Sequence, residues 1–233
     1  MRWVLLVLCG GVVPWLVGCA GVASSYAERE IERRAAEYLG PADRYDADVR
    51  GLTASSARQV VLVGTRVRPR PQLVLDTLTL DLRGVAYRRD PFAVTRVEDA
   101  AFTARVTDEA VNAFLQAQGR TANALLSDAR VTFLPNEVRV AADMRVAGET
   151  IRVTTAGIFQ AQGATVQYLP QRLAVAGLPV PVTILPQFAA LINPAADLAG
   201  LGFTPRIQTI TIVSGAVTLA GQADTRGLFT ATP

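Results

Sequence analysis

The chain has 233 residues, with 23 Lys+Arg against 20 Asp+Glu for a net charge of +3; every basic residue is Arg, and there is no His. That length allows a sizeable core, while the near-neutral charge gives no argument for nucleic acid as a partner. Without His, Ser-His-Asp triads and His-based zinc sites are excluded.

The N-terminus reads as a secretory leader. Arg2 precedes an apolar run over residues 3–17, shorter than the roughly 20 residues that span a bilayer. Leu16-Val17-Gly18-Cys19 closes it. These four residues resemble the lipobox of bacterial lipoproteins, in which the Cys is acylated and becomes the first mature residue. The alternative is an ordinary signal peptide or an uncleaved anchor. Cys9 lies inside the leader, so Cys19 would be left alone and no internal disulfide is expected.

After the leader, Ser25 and Glu28 have capping-box spacing, and Ala27, Ile31, Ala35, Tyr38 and Leu39 form a helical stripe stopped by Gly40-Pro41. Glu30, Arg33, Arg34 and Glu37 would form a solvated, ion-paired face. Such a helix either packs on the domain or lies on a bilayer beside the anchor. Two strands are expected over residues 45–67, with Asp43, Asp46 and Asp48 close together at the start, beside Arg44 and Arg50. Those acids read as a salt-bridged loop or, less well, as a Ca²⁺ site, because an EF-hand's Gly and terminal Glu are missing. Arg66, Arg68 and Arg70, interleaved with Pro69 and Pro71, predict a stiff basic loop and a candidate contact for anionic headgroups.

Residues 73–85 alternate strictly, with Leu78, Leu80 and Leu82 on one side and Thr77, Thr79, Asp81 and Arg83 on the other. Residues 92–106 form a further extended stretch broken at Glu98-Asp99. Thr107 then starts a helix with Asp108 and Glu109 in its first turn and Val111, Phe114 and Leu115 on its buried face. Residues 128–168 read as an antiparallel meander. Val131, Phe133, Val138, Val140, Ala142, Met144, Val153 and Phe159 share one face, with turns at Pro135-Asn136, Gly148-Glu149 and Gly163. The turn at Gly148-Glu149 suits type II′ geometry.

Beyond Tyr168 lies an apolar, proline-punctuated segment and a short helix over residues 187–192. Asn193-Pro194 and Gly200 to Gly202 then bracket at most another helical turn, and a last hairpin turns at Ser214-Gly215. About nine or ten strands against three short helices leave an apolar sheet face to be covered, at roughly 25 cal/mol per Å². A transmembrane barrel lacks its aromatic girdles here. A self-filled sandwich and a curved sheet enclosing an apolar groove remain.

Several segments together resemble a known family. They are Leu80-Asp81-Leu82-Arg83-Gly84-Val85, then Thr107-Asp108-Glu109-Ala110-Val111-Asn112-Ala113-Phe114-Leu115, the meander with its Asn136-Glu137 turn, Leu178-Pro179-Val180-Pro181 and the hairpin over residues 210–221. In this order they resemble the LmeA-like family of bacterial phospholipid-binding proteins, over residues 27–221. The resemblance implies an exported, lipid-binding α+β domain of the tubular (TULIP-like) type, with no catalytic residues, no cofactor and no metal. One departure is Thr53-Ala54-Ser55, where the family suggests Pro-Phe-Leu.

The fold expected is α+β, a long, strongly curved antiparallel sheet wrapped around a few helices, elongated and with an apolar groove. Residues 1–18 would be a lipoprotein signal peptide, 19–24 a lipidated tether, 25–223 one lipid-binding domain and 224–233 a loose tail. The expected function is binding, and transfer, of phospholipid or another acyl-chain lipid for cell-envelope maintenance. The protein would be anchored through acylated Cys19 to the periplasmic face of the outer membrane or the outer face of the cytoplasmic membrane. Leu78, Leu80, Phe114, Leu115, Val138, Val140, Met144, Val153 and Phe159 are the expected lipid contacts. The other reading is a structural lipoprotein that binds a protein partner by strand addition at a sheet edge.

Overall fold

A computed structural model describes residues 18–89, 92–119, 126–146, 148–199 and 203–224. The leader over residues 1–17, Gly200 to Gly202 and the tail from residue 225 onward lie outside the described residues. Two antiparallel sheets carry the fold. The first has the order β1 (Arg44–Arg50), β2 (Ser56–Arg70), β3 (Leu73–Arg89), β5 (Asp99–Thr107), β13 (Ala216–Asp224) and β12 (Thr204–Val213), with β4 (Phe92–Arg96) on the far end of β3. The second is the predicted meander, β6 (Leu126–Leu134), β7 (Glu137–Val146), β8 (Glu149–Gln162) and β9 (Thr165–Val175). It is extended by β10 (Leu178–Pro179) and β11 (Ala196–Asp197), both on β9.

This corrects the expectation of one long, strongly curved sheet wrapped around helices. There are two sheets, neither closed nor strongly curled, and each ends in distinct edge strands. Each sheet already has a cover, which removes the physical need to roll. The helix α1 (Gly18–Leu39) buries Ala35 and Leu39 against the first sheet near β1 to β3, while the second sheet and α2 (Asp108–Gly119) cover its other end. A single core cluster joins Val60, Leu80 and Phe102 of the first sheet to Phe133, Val138 and Tyr168 of the second.

Three local expectations also change. The helix runs through Ser25, so Ser25 is not its N-cap. The basic stretch from Arg66 is not a loop but the end of β2, with a register shift between Val67 and Arg70 that accommodates Pro69, which has no N–H to donate. The turn before β8 leaves Val146 paired with Glu149, so its glycine is the second loop residue, with φ +91°, and not the first as type II′ requires. Two glycines allow close approach. A Cβ at Gly84, where φ is +59°, would lie 2.4 Å from the Glu98 carboxylate at the point where β3 exchanges β5 for β4; one at Gly157 would lie 2.1 Å from the Leu169 carbonyl oxygen.

The sheet edges are capped by side chains. Glu32 and Glu28 of α1 accept from the N–H groups of Ala47 (3.0 Å) and Val49 (3.4 Å) on edge strand β1. Asn112 of α2 both accepts from Val131 N–H (2.7 Å) and donates to its carbonyl (2.8 Å) on edge strand β6. Asn193 does the same for Tyr168 on β9, at 2.6 and 2.9 Å. Strand β12 is tied to the second sheet by Asn136 N–H to Ile212 oxygen and Ile207 N–H to Gly163 oxygen. A side-chain amide presents the same donor and acceptor as a strand residue, so these contacts occupy positions where another chain would pair.

Candidate functional site: an apolar cavity between the sheets

The inner face of the meander does not meet the first sheet directly everywhere. Between them lies a cavity of about 720 Å³. Its floor is Val138, Val140 and Ala142 of β7 with Val153 and Phe159 of β8, flanked by Val131 and Phe133 of β6 and by Val166 and Tyr168 of β9. Val111 and Leu115 of α2 form one wall, and Val106, Val217 and Leu219 of the first sheet another. The helix α3 (Leu185–Ile192) closes a third side with Phe188 and Ile192.

Aromatic rings stiffen the floor. Phe159 stands edge-on to Phe133 and to Tyr168, each at 6.1 Å between centroids, a favoured geometry for such pairs. Tyr168 is fully buried, and its hydroxyl lies 3.1 Å from Thr155 Oγ1, which donates to the Arg172 carbonyl at 2.8 Å. The floor's polar atoms are thus turned into the sheet and the cavity side stays apolar. Exposed polar residues, Gln116, Ser127 and Asp128, line the cavity only between α2 and β6.

Burial pushes the Tyr168 phenol up to about 12, and burial does the same for Tyr45, whose hydroxyl donates to the Gly40 carbonyl at 2.7 Å. Both folded values exceed the unfolded value near 10, so the folded state holds these protons more tightly. Stability should be full below about pH 10 and decline from there to about 12. Denaturant midpoints measured across that window are expected to fall, and Tyr168→Phe should reduce the slope; an unchanged slope in the variant would show that Tyr168 is not a source of it.

Of the residues expected to touch lipid, Leu115, Val138, Val140, Val153 and Phe159 line the cavity. Leu78, 2% exposed, lies in the packed core of β3. Leu80 borders a separate apolar space of about 90 Å³ beneath α1. Met144 packs beside Val153, Leu173 and Phe188, and Phe114 is half-buried on α2 away from the lining. Arg66, Arg68 and Arg70 do not line the cavity; Arg66 and Arg68 pair with Asp43 at 3.0 and 2.7 Å, and the Arg68 hydrogen bond holds that carboxyl below the usual range. Asp46 and Asp48 pair with Arg44 and Arg50 along β1.

Sequence reasoning missed the walls from outside the meander: Val106, Val217, Leu219, Phe188 and Ile192. Their apolar periodicity was visible, but not the pairing of β13 with β5 that carries Val217 and Leu219 to the cavity. It also missed the polar rim at Ser127 and Asp128.

The molecule is thus a two-sheet α+β domain with an apolar cavity between the sheets, and among the described residues no three His, Cys, Asp or Glu side chains cluster to hold a metal ion. No curated protein and no solved structure matches the chain significantly. The family profile for LmeA-like phospholipid binding matches residues 20–222, and the chain belongs to that family, as its motifs implied. The family is defined by binding a lipid, not by catalysis.

Proposed function

We propose that the protein is an exported lipoprotein, anchored through acylated Cys19, that holds phospholipid acyl chains in the cavity between its sheets in the service of the cell envelope. The observation that carries this reading is the cavity, apolar on its floor and walls and polar at one rim. It is within the size range of small-molecule sites. At about 30 Å³ for a group of methylene or water size, 720 Å³ would take on the order of twenty methylenes. Each contributes about 0.8 kcal/mol when it leaves water.

Family membership supports the ligand class. The lipobox-like Leu16-Val17-Gly18-Cys19 supports the anchor. Among the described residues no helix is long and apolar enough to cross a membrane. Strand addition by a protein partner gains no support at β1, β6 and β12, whose outer edges are already met by side chains or by the second sheet.

Native mass spectrometry with lipid extraction, on a form beginning after Cys19, tests the reading. A phospholipid retained at about one per chain, or taken up from added liposomes, is the expected result. A bare chain mass under both conditions would sink it.

A further inference from the structure

No charged residue occurs between Arg172 and Asp197, although 18% of the chain is charged. Within that stretch β10 returns along β9 with Leu178 opposite Val175, so Ala176-Gly177 is a two-residue turn, and a Cβ on Gly177 would meet nothing within 4 Å. A single tight turn over Val182–Ile184 then leads into α3. Val180 and Leu185 hold the segment down, packed on Val153, Leu173 and Phe188. Leu178, Val182 and Ile184 are left to solvent, at 71%, 72% and 42% exposure, three of the seven exposed large apolar side chains among the described residues.

The backbone here has little left to donate. Pro179, Pro181 and Pro186 have no N–H, and the N–H groups of Val180, Ile184 and Leu185 donate to the carbonyls of Leu173, Pro181 and Val182. Six of the nine positions over residues 178–186 thus bring no unmet donor into an apolar medium, where such a donor is costly. A protein partner joins through hydrogen bonds and a polar rim, or by strand addition, and this segment is poor in the groups that both require. A bilayer requires neither. The segment also runs directly into α3, whose Phe188 and Ile192 wall the cavity, so whatever covers it lies beside the acyl-chain site.

We infer that Leu178, Val182 and Ile184 form an apolar tip that docks on a lipid bilayer and sets the α3 side of the cavity against it. The choice of a bilayer rests on the acyl-chain reading of the cavity. The attraction is apolar and not ionic, so salt does not screen it.

The test is depth in the bilayer. Trp3 and Trp15 are the only Trp residues of the chain, so Trp3→Phe with Trp15→Phe in the full-length protein leaves an introduced indole as the sole reporter. Val182→Trp and Leu178→Trp probe the tip. Val213→Trp is the control, at an exposed apolar site beside the Asn136 turn, toward the opposite end of β7. Each protein is reconstituted in phosphatidylcholine vesicles, with brominated-chain phosphatidylcholine supplied in those vesicles or in a second population. Both tip reporters should shift to the blue and be quenched in one of these arrangements, equally at about 0.1 M and about 1 M salt, while the control stays in water. Leu178→Ser in the Val182→Trp protein should weaken docking about tenfold, the worth of one apolar side chain left in water. Tip quenching no greater than the control's, or quenching that high salt removes, overturns the docking tip. A blue shift in lipid-free protein of doubled mass assigns the tip to a second copy and overturns it too. Lipid per chain by native mass spectrometry keeps the two readings apart. Retained lipid with an unquenched tip removes the docking tip alone, while a quenched tip on chains that hold no lipid upholds docking and removes the acyl-chain reading.

Discussion

Val140→Phe is expected to lower retained phospholipid by about tenfold or more while the fold persists. Val140 is half-buried in the middle of β7 and faces the cavity, so a larger ring there enters open space and not a packed interface. Displacing two or three methylenes at about 0.8 kcal/mol each removes roughly 2 kcal/mol of binding, more than a factor of ten. The cost to stability should stay at or below the roughly 1 to 3 kcal/mol usual for an enlarged interior side chain, because the ring has open space to enter. Lipid per chain by native mass spectrometry and the denaturant midpoint check both halves. Undiminished lipid in a folded variant would place the acyl chains elsewhere.

Phe102→Ala is expected to do the converse. Phe102 is 2% exposed on β5, opposite Leu80 on one side and Gly221 on the other, with its ring 5.6 Å from that of Phe203. It belongs to the core cluster and not to the cavity lining. Truncating a buried Phe costs about 3 to 5 kcal/mol through lost transfer energy and the void left behind. Urea unfolding should show that loss, with lipid per folded chain unchanged. A loss under about 1 kcal/mol would mean that the neighbours close the gap, while lost lipid in folded protein would tie the two regions together. The two substitutions separate what holds the fold from what holds a ligand.

The meander was the most legible part of the chain. Its four strands, their order and most of its inward residues follow from a period of two and from short turns, because hairpin pairing is local. The helix from Asp108 was legible too. Thr107 accepts from the Ala110 N–H at 3.2 Å, the capping contact that a Thr followed by two acids suggests. Where the local signal misled, a competing contact explains it. Ser25 and Glu28 have capping-box spacing, yet Glu28 instead reaches the Val49 N–H, a contact 21 residues away. Glu30, assigned to the solvated face, is 7% exposed and held by Arg33 and Arg34 at 2.5 and 2.7 Å. The asparagines that cap β6 and β9 carry no local signature, since a single polar residue on a helix or before a proline reads as a surface or turn residue.

By itself the sequence determined the family, the mixture of antiparallel strands with few helices, and five of the residues that line the cavity, because apolar periodicity and turn chemistry act over neighbouring residues. Only the tertiary structure decided that there are two sheets, since that depends on β13 crossing back to pair with β5 more than a hundred residues earlier in the chain. The cavity follows from the same pairing. It is bounded where the faces of two sheets and two helices fail to meet, and no residue's own pattern records the distance to a wall contributed by a remote segment.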